Sequence, residues 1–158
     1  MSVALLQRSD HVKLNQLKHL YGQHFDRTIR LAAVNCLPPQ GDKMGCDSKS
    51  WDFSNLIHLG LFDGSDLVVA ASIRLHLPFQ FVEVVLFGTA SLHARQGKGR
   101  LLNAFLKVYA RHNGFKFILV RAVRNTFEVF WLRPCVGYRP YEPMDEADTP
   151  LAEYINDH

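Results

Sequence analysis

Apolar residues near the start of the chain recur at helical spacing: Val12, Leu14, Leu17, Leu20 and Tyr21 fall roughly on one face of a helix reaching about Phe25. Ser9 is placed to cap it, and Val3 to Gln7 just before reads as a short first strand. A second helical piece, about Arg27 to Asn35, should stop before Pro38-Pro39, because proline removes a backbone donor and restricts its predecessor. From Cys36 to Ser54 no period survives, and the Pro, Gly, Asp and Ser content predicts a long loop near the mouth of a site.

Two apolar runs, Asn55 to Phe62 and Leu67 to Leu77, then flank the turn sequence Asp63-Gly64-Ser65-Asp66, and Pro78 separates them from a third, Phe79 to Thr89. This predicts an antiparallel meander. Helical spacing returns with Leu101, Leu102, Phe105, Leu106 and Tyr109 and ends at Asn113-Gly114. Phe115 to Val120 reads as a short buried strand, Asn125 to Leu132 as a last short helix closed by Pro134, and Val136 to Arg139 as a final edge strand. The order predicts a mixed α/β (α+β) sheet protein: a meander followed by a helix, a parallel strand and a short final helix.

The 158 residues, 47% hydrophobic and 21% charged, suit one domain with a single core and exclude wholesale disorder. No apolar run approaches the ~20 residues that cross a bilayer, since Arg74, His76, Pro78 and Glu83 interrupt Leu67 to Leu92, so a soluble chain is expected. Met1 to Ala4 lacks a basic segment leading into an apolar core, so no secretory signal is expected. Cys36, Cys46 and Cys135 are too scattered for a disulfide scaffold, which suggests a reducing compartment. Charge changes the picture more. The net value is +3, yet residues 91–140 hold ten Lys or Arg against one acid, Glu128, whereas 141–158 hold six acids and no Lys or Arg. A basic half implies an anionic partner, either nucleic acid or a phosphorylated small molecule.

The segment His93-Ala94-Arg95-Gln96-Gly97-Lys98-Gly99-Arg100 lies between a predicted strand and helix, where unpaired amides and the helix dipole favour an anion. Gly97 and Gly99 let an oxygen approach the backbone, and Arg95, Lys98 and Arg100 add charge. The segment is neither a GxxxxGK[ST] loop nor a complete GxGxxG fingerprint. Upstream, Glu83 is the only acid in the apolar run Phe79 to Phe87. Strict alternation places it on one face with Phe81, Val85 and Phe87, where partial burial raises a carboxyl toward the range of a useful base. From Glu83 to Ala90 an extended strand covers about 20 Å, which suits a ligand whose phosphates and reactive end lie far apart.

The stretch Glu83 to Tyr138 resembles the acetyl-CoA-binding region of the GNAT (Gcn5-related N-acetyltransferase) superfamily. The Gln96-Gly97-Lys98-Gly99 sequence is similar to its pyrophosphate signature [QR]xxGx[GA], with Leu101 where Gly or Ala is usual. Within the superfamily the likeness is to nuclear histone and protein lysine acetyltransferases, in which an ExVxx strand precedes the phosphate loop at the spacing between Glu83 and Gly97. The resemblance implies an acetyltransferase with acetyl-CoA as cofactor, Glu83 as general base and the Phe87 amide as oxyanion donor. It implies a cofactor site made by Phe87, Gly88, Thr89, Arg95, Gln96, Gly97, Lys98, Gly99, Arg100, Asn125 and Phe130. Phe130 falls near a position often held by Tyr, so a phenolic general acid is missing there. Tyr138 replaces the common Phe of a Gly-Phe pair and could supply a proton, although core packing is its expected role. The implied partner is a lysine-bearing protein such as a histone tail, with no membrane and no metal, and direct nucleic-acid binding is not favoured. The implied placement is nuclear, otherwise cytoplasmic.

Cys135 reads as a buried structural thiol rather than a nucleophile, because it follows Pro134 with no His close in sequence. The eight histidines lack a paired metal-ligand spacing. Trp51 and Phe53 line a substrate groove or plug a sheet edge, and the acids Glu142, Asp145, Glu146 and Asp148 read as a solvated terminus that can also attract a lysine-rich peptide. A small-amine acetyltransferase and a non-catalytic acyl-CoA or nucleic-acid binding module are the alternative functions.

Overall fold

A computed structural model of the chain describes residues 1–25, 55–120, 122 and 127–141. The helix expected at 27–35, the loop at 36–54, Asn125 and the acidic residues beyond Tyr141 lie outside that set.

Five strands form one sheet in the order β1-β2-β3-β4-β5: β1 Ser2–Leu5, β2 Ile57–Asp63, β3 Asp66–His76, β4 Phe81–Thr89 and β5 Phe117–Val120. The first four pair antiparallel, and β5 joins β4 in parallel. Parallel pairing demands a crossover, supplied by α2, Lys98–His112. Helix α1, His11–Gly22, covers the opposite face. Its cap is one residue later than the sequence suggested: Asp10, not Ser9, accepts the Lys13 N–H at 3.1 Å, and its other oxygen pairs with the Lys13 ammonium at 2.7 Å.

Leu17, Leu20 and Tyr21 of α1 pack against Phe62, Leu67, Ala70, Val85 and Leu86. On the other face, Leu102, Leu106 and Ala110 of α2 pack against Leu59, Leu61, Val69, Ile73, Val82 and Val84. The sheet is therefore apolar on both sides through its middle, which is why its central strands read as continuous hydrophobic runs rather than clean alternation. Among the described residues, no helix is long and apolar enough to cross a membrane.

The end of the chain departs from expectation. The described part of the expected short final helix, Phe127–Trp131, is π-helical. Val136 to Arg139 is not a strand: the chain turns at 132–136, and Tyr138 then donates its N–H to the Trp131 carbonyl instead of entering the sheet. β5 is half-buried throughout, and begins at Phe117. Cys135 is exposed, not buried, because the turn after Pro134 carries it to the surface.

Candidate active site

Among the described residues the β4–β5 pairing runs from Phe81 opposite Phe117 to Val84 opposite Val120, whereas β4 continues five residues further to Thr89. Where the two strands part, β4 carries a bulge: Ser72 faces Leu86 and Ile73 faces Val84, leaving Val85 without a partner on β3. The extra residue reverses the alternation. Val85 and Leu86 pack on the α1 side, while Phe87 joins Val82 and Val84 on the α2 side. The expected common face of Glu83, Val85 and Phe87 is thus broken at the bulge.

Beyond Val84, no described residue pairs with the outer edge of β4. The Ala90 N–H donates to the Val68 carbonyl at 2.9 Å, and polar groups alternate along an antiparallel ladder, so Gly88 points toward β3. Phe87 accordingly directs its N–H and C=O, and Thr89 its N–H, to the other edge, where no described strand pairs with them. Gly88 lies under α1, and a Cβ there would stand 3.0 Å from Leu20 and 3.1 Å from His24. His24 Nε2 meets the Thr89 carbonyl, and Gln23 Oε1 accepts the Ser91 N–H at 2.8 Å, so the end of α1 braces the end of β4.

Glu83 is 3% exposed. Directly opposite it on β3, Arg74 donates from Nη1 to Oε2 at 3.1 Å, and His76 Nε2 lies 3.0 Å from the same oxygen. The His76 ring stacks on Phe81 at 4.3 Å. The expectation of a carboxyl among apolar groups needs correction: its neighbours include a guanidinium and an imidazole, which hold the carboxylate by charge-assisted hydrogen bonds. Sequence reasoning passed over both partners, although Arg74 and His76, two apart in one strand, are the only basic groups in the 67–77 run.

At the far end of β4, a 3-10 turn at Ser91–His93 leads into α2. Gly97 is the N-cap in a left-handed conformation, φ 77°, with no side-chain cap and no acid in the first turn. Leu101 makes the first intrahelical bond, to the Gly97 carbonyl, so the amides of Lys98, Gly99 and Arg100 lack intrahelical acceptors. The two glycines have separate reasons. Gly97 supplies the positive φ, while at Gly99 a Cβ would stand 3.1 Å from Thr89 Oγ1 and 3.5 Å from the Phe130 ring, so its absence seats α2 against β4. Arg95, also at positive φ (62°), and Arg100 are exposed. Gln96 donates to the Leu92 carbonyl at 3.1 Å. Lys98 points to the β2–β3 turn, bonding Asp63 at 2.9 Å.

Phe130 packs on Phe87 at 5.6 Å and on Trp131 at 4.9 Å. Tyr138 packs on Trp131 at 5.2 Å and donates its hydroxyl to Asn103 at 2.8 Å, and burial raises its phenol well above the usual value. That agrees with the core-packing role. A recess of about 370 Å³ between β5 and segment 137–141 is lined by none of the sequence-predicted site residues. Among the described residues, no group of three His, Cys, Asp or Glu side chains is arranged to hold a metal ion.

Solved structures share this architecture. GCN5 of Tetrahymena superposes with a TM-score of 0.69 at 14% identity, over 94% of this chain and 85% of that one. The ribosomal-protein-S18-alanine N-acetyltransferase of Escherichia coli gives 0.64 at 14% identity, over 89% and 79%. An aminoglycoside 6'-N-acetyltransferase complexed with coenzyme A gives 0.54 at 14% identity, over 76% and 61%. The chain has the GNAT fold. No protein-family model matches the sequence, and no curated protein matches it either.

Proposed function

We propose that the protein is an acetyl-CoA-dependent N-acetyltransferase that passes the acetyl group directly to a lysine side chain of a protein such as a histone. The observation that carries this reading is the buried Glu83 carboxylate one residue before β4 and β5 part, in a fold shared with acetyltransferases of known structure. The donor set suits coenzyme A: uncapped amides of α2 and nearby arginines for a diphosphate, and the outward N–H and C=O of Phe87 with the N–H of Thr89 for an extended amide arm. When bound, acetyl-CoA supplies an acetyl group activated as a thioester.

An amine of solution pKa ~10.4 must shed a proton before its nitrogen can attack. Glu83 accepts that proton, directly or through a water, while Arg74 and His76 fix the orientation of the carboxylate. The Phe87 amide would donate to the acyl oxygen as negative charge builds there, and as the new carbon–nitrogen bond forms the carbon–sulfur bond would break, coenzyme A departing as its thiolate. Tyr138 takes no part, since its hydroxyl is committed to Asn103.

A protein acceptor is preferred because the Glu83-x-Val85 strand and loop spacing resemble the histone branch, and a nuclear location belongs to the same reading. Incubation with labelled acetyl-CoA and a panel of core histones, histone-tail peptides, polyamines, aminoglycosides and amino acids tests it. Label on peptide lysines supports the proposal. Label on small amines alone replaces it with a small-amine acetyltransferase, and no label anywhere defeats both.

A further inference from the structure

Three cations surround the start of α2, and they are not equivalent. Arg95 and Arg100 are exposed and pair with no described acid. Lys98 is folded away: its ammonium donates to Asp63 Oδ2 at 2.9 Å and to His93 Nδ1 at 2.9 Å, and only 11% of its side chain is exposed. An ammonium has no acceptor lone pair, so His93 Nδ1 must be the acceptor and its proton sits on Nε2. Asp63 ends β2 at the β2–β3 turn and is half exposed. The pair therefore ties the β2–β3 turn to the first residue of α2, with His93 of the intervening 3-10 turn as a third contact.

We propose that Asp63 restrains the anion-binding loop: it keeps the Lys98 ammonium on the β2–β3 turn, so the grip on a coenzyme A diphosphate comes from the α2 amides with Arg95 and Arg100, and releasing Lys98 strengthens it. The inference rests on reading residues 95–100 as the diphosphate loop. Lys98 is the first residue of α2, beside the open amides, so its flexible stem needs only to leave Asp63 to bring a charge to a ligand there. A pair with one partner half in water is weakly held, which sets the restraint at a few-fold in affinity rather than orders of magnitude.

The test is calorimetric titration of coenzyme A into the unaltered protein, Asp63→Asn, Lys98→Met and the double variant, each at low and high KCl. The expected result is about two- to fivefold tighter binding by Asp63→Asn, with a steeper loss of affinity on adding salt, because one more exposed charge meets the ligand. That gain should vanish in the Lys98→Met background. Unchanged or weaker binding by Asp63→Asn overturns the inference. So does an equal gain in both backgrounds, which reports only the field of the removed carboxylate. If the unaltered protein binds no coenzyme A, the loop assignment itself fails and takes the inference with it.

Discussion

At Glu83 a single carboxylate oxygen meets both Arg74 and His76, and this arrangement sets what substitution there should do. Glu83→Gln keeps the shape and one acceptor oxygen, so coenzyme A binding should survive while kcat/KM falls about 10²- to 10⁴-fold, most visibly near neutral pH. Initial rates alongside calorimetric binding check this, and unchanged rates would remove Glu83 from the chemistry. A second residue-scale prediction concerns His58, whose Nδ1 lies 2.7 Å from Ser72 Oγ, itself 2.7 Å from the Tyr21 hydroxyl. Burial lowers the His58 imidazole to about 4 from its ordinary 6.5. Between those values the unfolded chain takes up a proton that the folded protein refuses. The stability His58 allows is therefore complete above about pH 6.5 and is lost toward pH 4, by on the order of 3 kcal/mol. Urea midpoints should fall between pH 7 and pH 4.5 and fall less in His58→Gln, whereas parallel losses in the two proteins would exonerate His58. None of these contacts is written in residue order, because Ser72 meets His58 and Arg74 meets Glu83 only through strand registers.

Elements were more legible than contacts. Helical spacing from Leu101 to Tyr109 and the Asp63 to Asp66 turn located α2 and the β2–β3 hairpin to within a few residues, since both signals are local. The bulge at Val85 was not legible: one unpaired residue in a run of valines leaves no mark on composition, yet it decides which face Phe87 occupies. The Val136 to Arg139 segment misled for the reverse reason. Its composition suits a strand, but Gly137 at φ 76° and the bond from Tyr138 to Trp131 turn it elsewhere. At the start of α2 the two glycines should respond differently to Ala. Gly97→Ala forces a side chain into a left-handed backbone and should cost about 1–2 kcal/mol while weakening coenzyme A binding. Gly99→Ala places a methyl 3.1 Å from Thr89 Oγ1 and should shift α2 off β4. Denaturant melts and coenzyme A titrations read both, and normal affinity in either variant would contradict the loop assignment.

Across the molecule, α1 and α2 clamp the sheet from opposite faces, and the last described segment is tied in by aromatic contacts. Trp131 is central to these, with Phe87, Phe130 and Tyr138 all around its indole. Trp131→Ala should destabilise the protein by about 3–5 kcal/mol, seen as a lower denaturant midpoint with an unchanged slope. The seam between β4 and β5 has a further consequence. On the proposed reading its recognition groups belong to the main chain, so residue identity along it has little purchase on what it can hold. The side chains from Val84 to Thr89 answer instead to the core, where Leu86 is buried and a Cβ at Gly88 would stand 3.0 Å from Leu20. What the seam cannot tolerate is an imino acid: proline at 87 or 89 would silence it by deleting a donor, however well the new ring packed.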